Sequence, residues 1–104
     1  MNDVKLTVKI VKYESKAELV LEGRLDSITT QDAEPVFMKY AEEYPRLVLN
    51  LEDMEYISSA GLRLIKKLHI TMKKKDGELT IKNVNRLVME VFEMTGFVAL
   101  FKFE

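Results

Sequence analysis

The stretch Arg46-Leu47-Val48-Leu49-Asn50-Leu51-Glu52-Asp53-Met54-Glu55-Tyr56-Ile57-Ser58-Ser59-Ala60-Gly61-Leu62-Arg63 decides how the chain is read. From Leu47 to Leu51 it is apolar except for Asn50, the composition of a central strand covered on both faces. Glu52-Asp53-Met54-Glu55 reads as a loop. Ser58 or Ser59 then offers an oxygen to the free N–H groups of a helix's first turn, with Tyr56 and Ile57 packing down as an apolar lead-in. From Ala60 to Lys75 the residues Leu62, Ile65, Leu68 and Met72 recur at helical spacing, while Lys66, Lys67 and Lys73 face elsewhere. A strand, a tight turn and an amphipathic helix form the unit of an α/β domain.

The flanks extend that pattern. Val4, Leu6, Val8 and Ile10 alternate with polar residues, as in a half-buried strand, and the polar turn Tyr13–Lys16 joins them to a second strand, Ala17–Glu22, in a hairpin ended by Gly23. Gly23-Arg24-Leu25-Asp26-Ser27 reads as loop. A helix follows from about Thr30 to Tyr44, with Val36, Phe37, Tyr40, Ala41 and Tyr44 on one face. Pro35 suits only a first turn, which favours Asp32 as the cap over Thr29 or Thr30; Pro45 marks the end. After the 60–75 helix, Asp76-Gly77 is the stop, Glu78–Asn83 a strand, and Asn85 the cap of a helix running to about Thr95 and closed by Gly96. Leu100–Phe103 is a short final strand. The order, an N-terminal hairpin and then β-α-β-α-β-α-β, predicts one α/β domain over residues 1–104, with helices packed on a mixed sheet and right-handed crossovers.

Composition narrows the function by exclusion. At 104 residues and 47% hydrophobic, the chain has enough apolar mass for one core. A net charge of −1 gives no overall signal for direct nucleic-acid binding, and Lys73-Lys74-Lys75 reads as the solvated cationic end of a helix. Without cysteine there is no disulfide or thiolate chemistry. The N-terminus lacks the apolar core of a signal peptide, and no apolar run approaches the ~18–20 residues that span a bilayer. The expectation is a cytoplasmic protein with no membrane insertion. No nucleotide-binding glycine motif is present, and no serine elbow either. The single histidine, His69, sits ten residues beyond Ser59 on the same helix, roughly 15 Å away at 1.5 Å per residue. It reads as a boundary or packing residue. Glu52, Asp53 and Glu55 have no histidine beside them and read as ordinary loop acids. No catalytic residue, metal site or cofactor is expected, so the chain reads as a non-enzyme.

The serine-rich turn is the remaining signal. Capping explains one serine, but it does not explain Gly61, which weakens a first helical turn by up to about 1 kcal/mol relative to alanine. Ala60 and Gly61 leave the helix end nearly bare, giving clearance for an approaching surface and open N–H groups for an anion. A hydroxyl in such a place fits either a plain cap or a serine that is phosphorylated.

Residues Leu47–Ile65 resemble the signature segment of STAS domains, in particular the anti-sigma-factor antagonists. Gly23-Arg24-Leu25-Asp26 is similar to the family's G-x-L-D element, and Val88–Phe97 is similar to its final helix and turn. The resemblance implies a small binding module. Its unphosphorylated form would bind an anti-sigma factor that is also a serine kinase and so free a sigma factor; phosphorylation would inactivate it and a PP2C-type phosphatase would restore it. Aligning on Gly61-Leu62 puts the modified serine at Ser59, with Ser58 as second choice. The implied partner-binding residues are Arg24, Asp26, Ser27, Ile57, Ser58, Ala60, Gly61, Leu62 and Arg63. Two departures stand out: the family's aspartate before the modified serine is Ser58 here, and many members carry a further helix beyond the last strand. The surface that helix would cover is expected to be open or filled by a partner or a second copy, as in a weak homodimer. The family also implies an alternative, a constitutive subunit or scaffold, for instance of a phospholipid-transport ABC complex, in which Ser59 is only a cap.

Overall fold

The computed structural model describes residues 5–104, so Val4, at the start of the expected first strand, lies outside the described residues. Among the described residues, five strands make one sheet in the order β1 (Leu6–Lys12), β2 (Lys16–Leu25), β3 (Arg46–Ile57), β4 (Glu78–Lys82), β5 (Lys102–Phe103). β1 runs antiparallel to β2, and every later pair is parallel. The helices α1 (Thr29–Glu43), α2 (Ser59–Lys74) and α3 (Arg86–Thr95) connect the parallel strands, with a 3-10 turn, Phe97–Ala99, before β5. This is the expected α/β domain with a mixed sheet.

Period-2 alternation sets the core. Ala17, Leu19 and Leu21 of β2, Leu47, Leu49 and Leu51 of β3, and Leu79 and Ile81 of β4 are buried together with Phe37 and Ala41 of α1, Ile65, Leu68 and Met72 of α2, and Phe92 of α3. Phe92 meets Phe101 edge-on at 5.7 Å, and Phe101 in turn meets His69 at 5.6 Å. His69 is therefore a packing residue. Burial, and secondarily Lys73, hold its pKa below 6.5. The alternate strand residues point the other way. There the largely buried Glu18 accepts a 2.8 Å hydrogen bond from the Asn50 amide and lies 3.3 Å from Lys82, so the single polar residue of the apolar 47–51 run serves a buried carboxylate. Met94 and Leu87 of α3 are exposed.

Several boundaries differ from the sequence reading, among them the last strand, which is Lys102–Phe103 rather than Leu100–Phe103. β2 does not end at Gly23 but continues to Leu25, and Glu52–Glu55 is strand rather than loop, because β3 stays paired to β2 as far as Leu25↔Ile57. Register shifts after Val20 and after Gly23 break the alternation, so that only Met54 and Ile57 of residues 52–57 turn inward. Gly23 carries the second shift at φ +109°, with the backbone oxygen of Lys5 packed where a side chain would begin. α1 starts earlier than expected, and Asp32 is not its cap. Pro35 sits in the second turn, where it takes one N–H out of the helical ladder.

Candidate functional site

The ends of β2 and β3 lie side by side and release the chain into α1 and α2. Asp26 makes the first exit. Its Oδ1 accepts the N–H groups of Ile28 (2.9 Å) and Thr29 (3.0 Å), its carbonyl accepts from Thr30 N (3.0 Å), and the Thr29 hydroxyl accepts Asp26 N–H at 2.9 Å. This reciprocal pair caps α1. The carboxylate is held below its ordinary pKa of 3.8, first by the Thr29 N–H, then by Ile28 N–H, the Thr29 hydroxyl and the Arg24 guanidinium, against an opposing contribution from partial burial. Asp26 therefore has a structural task of its own within the G-x-L-D element. The signal Asp26-x-x-Thr29 was present in the sequence, but Pro35 drew the expected cap downstream.

Ser58 makes the second exit. Its extended backbone donates N–H to Leu25 O at 2.9 Å, and its hydroxyl accepts Gly61 N–H at 3.3 Å. Ser58 is thus the cap of α2. Ser59, the first helical residue, is exposed, and Ala60 is half-buried. Gly61 is buried, and a Cβ there would lie 2.7 Å from Leu25 O, 2.9 Å from Ile57 Cγ1 and 3.0 Å from Leu25 Cγ. The clearance that the sequence reading assigned to a partner is already occupied by the domain's own β2. The bare helix end lets α2 seat directly on the last residue of that strand.

The nine residues expected to bind a partner thus divide. Ile57, Gly61 and Leu62 are buried in the domain. Arg24, Ser27 and Arg63 are exposed, while Asp26, Ser58 and Ala60 are half-buried. Arg24 lies 4.3 Å over the ring of Tyr56, its pairing partner across β2 and β3, and its Nε is 3.7 Å from Asp26 Oδ2. Tyr56 was expected to pack down, but the bulged register turns it outward, to 42% exposure, where it supports the guanidinium from below. Sequence reasoning missed both Thr29 and Tyr56, since each acquires its part only from a neighbouring strand or turn.

Two helix N-termini, an exposed hydroxyl and a braced guanidinium therefore share the carboxyl end of the parallel strands, where α/β sheets collect their binding sites. The arrangement can accept an anion or a protein surface, but it holds no nucleophile–base pair. Among the described residues, no group of three His, Cys, Asp or Glu stands close enough to hold a metal, and no helix is long and apolar enough to cross a membrane.

Comparison with known proteins agrees with this geometry. Residues 7–104 match the STAS domain family. BtrV of Bordetella bronchiseptica, named for anti-sigma factor antagonism, is 33% identical over 82 residues, 78% of this chain and 71% of that protein. The anti-sigma-B factor antagonist of Staphylococcus aureus is 28% identical over 92 residues, 88% of this chain and 85% of the relative. In fold, the chain resembles an anti-sigma factor antagonist from Mycobacterium paratuberculosis, with a TM-score of 0.85 at 18% identity over 95% of this chain and 85% of that one. It also resembles phosphorylated SpoIIAA of Bacillus, with a TM-score of 0.72 at 15% identity over 95% of this chain and 90% of the other. With the motif segments, the topology and a match over nearly the whole length in accord, the chain belongs to the STAS domain family.

Proposed function

We propose that this protein is an anti-sigma-factor antagonist that works in the cytoplasm by binding rather than by turnover. Unphosphorylated, it engages an anti-sigma factor with serine-kinase activity through the β2–α1 and β3–α2 junctions and so frees a sigma factor. Phosphorylation of Ser59 ends that engagement, and a PP2C-type phosphatase reverses it. The observation that carries the reading is the division of labour between the two serines. Ser58 is committed to the cap, whereas Ser59 presents its hydroxyl to solvent one residue later.

The physics of the switch is local. A phosphoserine adds roughly −1.5 to −2 charges. The N-terminus of α2 tolerates negative charge, and Arg63 lies one turn along the same helix face as Ser59, so the fold survives modification. A partner packed over Ser59 and Ala60 would instead face a desolvated phosphate. A loss of about 3–4 kcal/mol there weakens binding a hundred-fold or more. The test is incubation with the partner kinase and ATP, read by intact mass. One added phosphate is expected on the wild type and on Ser58→Ala, and none on Ser59→Ala. A phosphate on Ser59→Ala, or none on the wild type, overturns the switch and leaves the constitutive subunit.

A further inference from the structure

Helix α2 carries five cations and no acidic residue, in a chain whose formal charge is −1; the remainder of the molecule is therefore net acidic. The cations are not scattered around the helix. At 3.6 residues per turn, Arg63, Lys66, Lys67, Ile70, Lys73 and Lys74 fall within about a third of its circumference, directly opposite the buried stripe of Gly61, Leu64, Ile65, Leu68 and Met72. Ser59 begins the same exposed stripe. Of the five cations only Lys67 has a carboxylate partner among the described residues, Glu34 of α1. Lys75, next along the chain, turns away from the stripe and donates to Ala41 O and Tyr44 O, where it closes the end of α1.

We infer that this face of α2 is a docking surface for an acidic protein surface, with Ile70 as its one apolar contact. Charge complementarity commits it to an anionic partner. Two observations favour a protein over a long polyanion or a bilayer. The adjacent helix α1 carries Asp32, Glu34, Glu42 and Glu43 against Lys39, so a duplex or an anionic membrane laid over α2 meets repulsion beside it. Ile70 is 41% exposed in the middle of the cations. One such residue is too little apolar area for insertion into lipid, yet it suits a protein surface with one apolar residue ringed by carboxylates. The stripe runs roughly 22 Å from Ser59 to Lys74, at 1.5 Å per residue, enough to seat one helix face or strand edge. Its place in signalling rests on the proposed function above. A phosphate on Ser59 lowers the net charge of the stripe from +5 to about +3, which adds an electrostatic arm to the loss of contact at the turn.

The test uses the unphosphorylated full chain and three probes: a labelled Glu-rich helical peptide with one central leucine, duplex DNA, and phosphatidylglycerol vesicles. The peptide is expected to bind the wild type, to weaken with salt, and to lose about tenfold or more in affinity to the double reversal Lys66→Glu/Lys74→Glu. The equal reversal Lys12→Glu/Lys39→Glu, away from the stripe, is expected to change little. Ile70→Ser should weaken the peptide and leave DNA unaffected. The inference is overturned if the wild type does not bind the peptide, if both double reversals weaken it equally, or if DNA or vesicles bind more tightly than the peptide. Because no kinase is present, a Ser59 that never accepts phosphate leaves this result untouched. Failure here with phosphate still added to Ser59 removes the docking face alone.

Discussion

Replacing Gly61 by alanine sets two effects of known sign against each other. Alanine in place of glycine favours a helix by up to about 1 kcal/mol, less at the first turn, where backbone bonds are still open. Against this, the new methyl would sit 2.7 Å from Leu25 O, 2.9 Å from Ile57 Cγ1 and 3.0 Å from Leu25 Cγ. The oxygen cannot retreat cheaply, because it holds the Ser58 N–H at 2.9 Å and ends a strand paired as far as Ile57. The two side chains are buried and have little room to move. Overpacking of this kind costs about 1–3 kcal/mol, so the net expectation for Gly61→Ala is a loss of about 1–2 kcal/mol. In a domain of this size, each kcal/mol is worth about 4–8 °C in Tm. Urea unfolding with an unchanged m-value, together with a thermal melt, measures it. Were Gly61 bare only to admit a partner, alanine would stabilise the free protein and weaken binding alone. A Gly61→Ala variant as stable as the wild type or more so therefore refutes the close seating of α2 on β2.

The remaining predictions concern the caps, the buried carboxylate and the acid limb of stability. Ser58→Ala removes the α2 cap and is expected to cost about 0.5–2 kcal/mol, whereas Ser59→Ala, at an exposed position, stays within about 0.5 kcal/mol of the wild type; urea titrations of the pair distinguish them. Asn50→Ala takes the amide from the largely buried Glu18 and is expected to cost about 1–3 kcal/mol, with Glu18→Gln recovering part of the loss in that background. The folded pKa of Asp26 lies below its ordinary 3.8. Its contribution to stability is thus complete above that value and is lost as pH falls through the lowered one, so Asp26→Asn should flatten the unfolding profile in that acid range. The folded pKa of His69 likewise lies below 6.5, through burial and Lys73. Stability falls as pH drops from 6.5 toward the lowered value, and His69→Gln should remove that slope.

Whatever depends on residues near one another along the chain was legible from their order alone. Alternation in 6–10 placed the first strand because a pleated strand turns every second side chain to one face, and the apolar run of 47–51 placed a central one covered on both faces. The spacing of Leu62, Ile65, Leu68 and Met72 placed α2, and Asn85 and Gly96 bounded α3 because caps act within a turn of the groups they satisfy. The order of elements then fixed a mixed α/β sheet, and the motif segments pointed to the family. That one of the two adjacent serines caps α2 was legible for the same local reason, but which of them does so was not. Contacts between segments distant along the chain set where the strands stop and what the glycine is for. Glu52–Glu55 looks like a loop because bulges spoil its alternation, and it becomes strand through pairing with β2, some thirty residues away in sequence. Asp26 rather than Asp32 caps α1 because the end of β2 delivers it there, and Tyr56 faces out beneath Arg24 because of the shifted register. Gly61 looks like an open door in one dimension. In three it is closed by Leu25, since what a bare helix end admits depends on which backbone lies against it, and that contact is set by the packing of α2 on the end of β2.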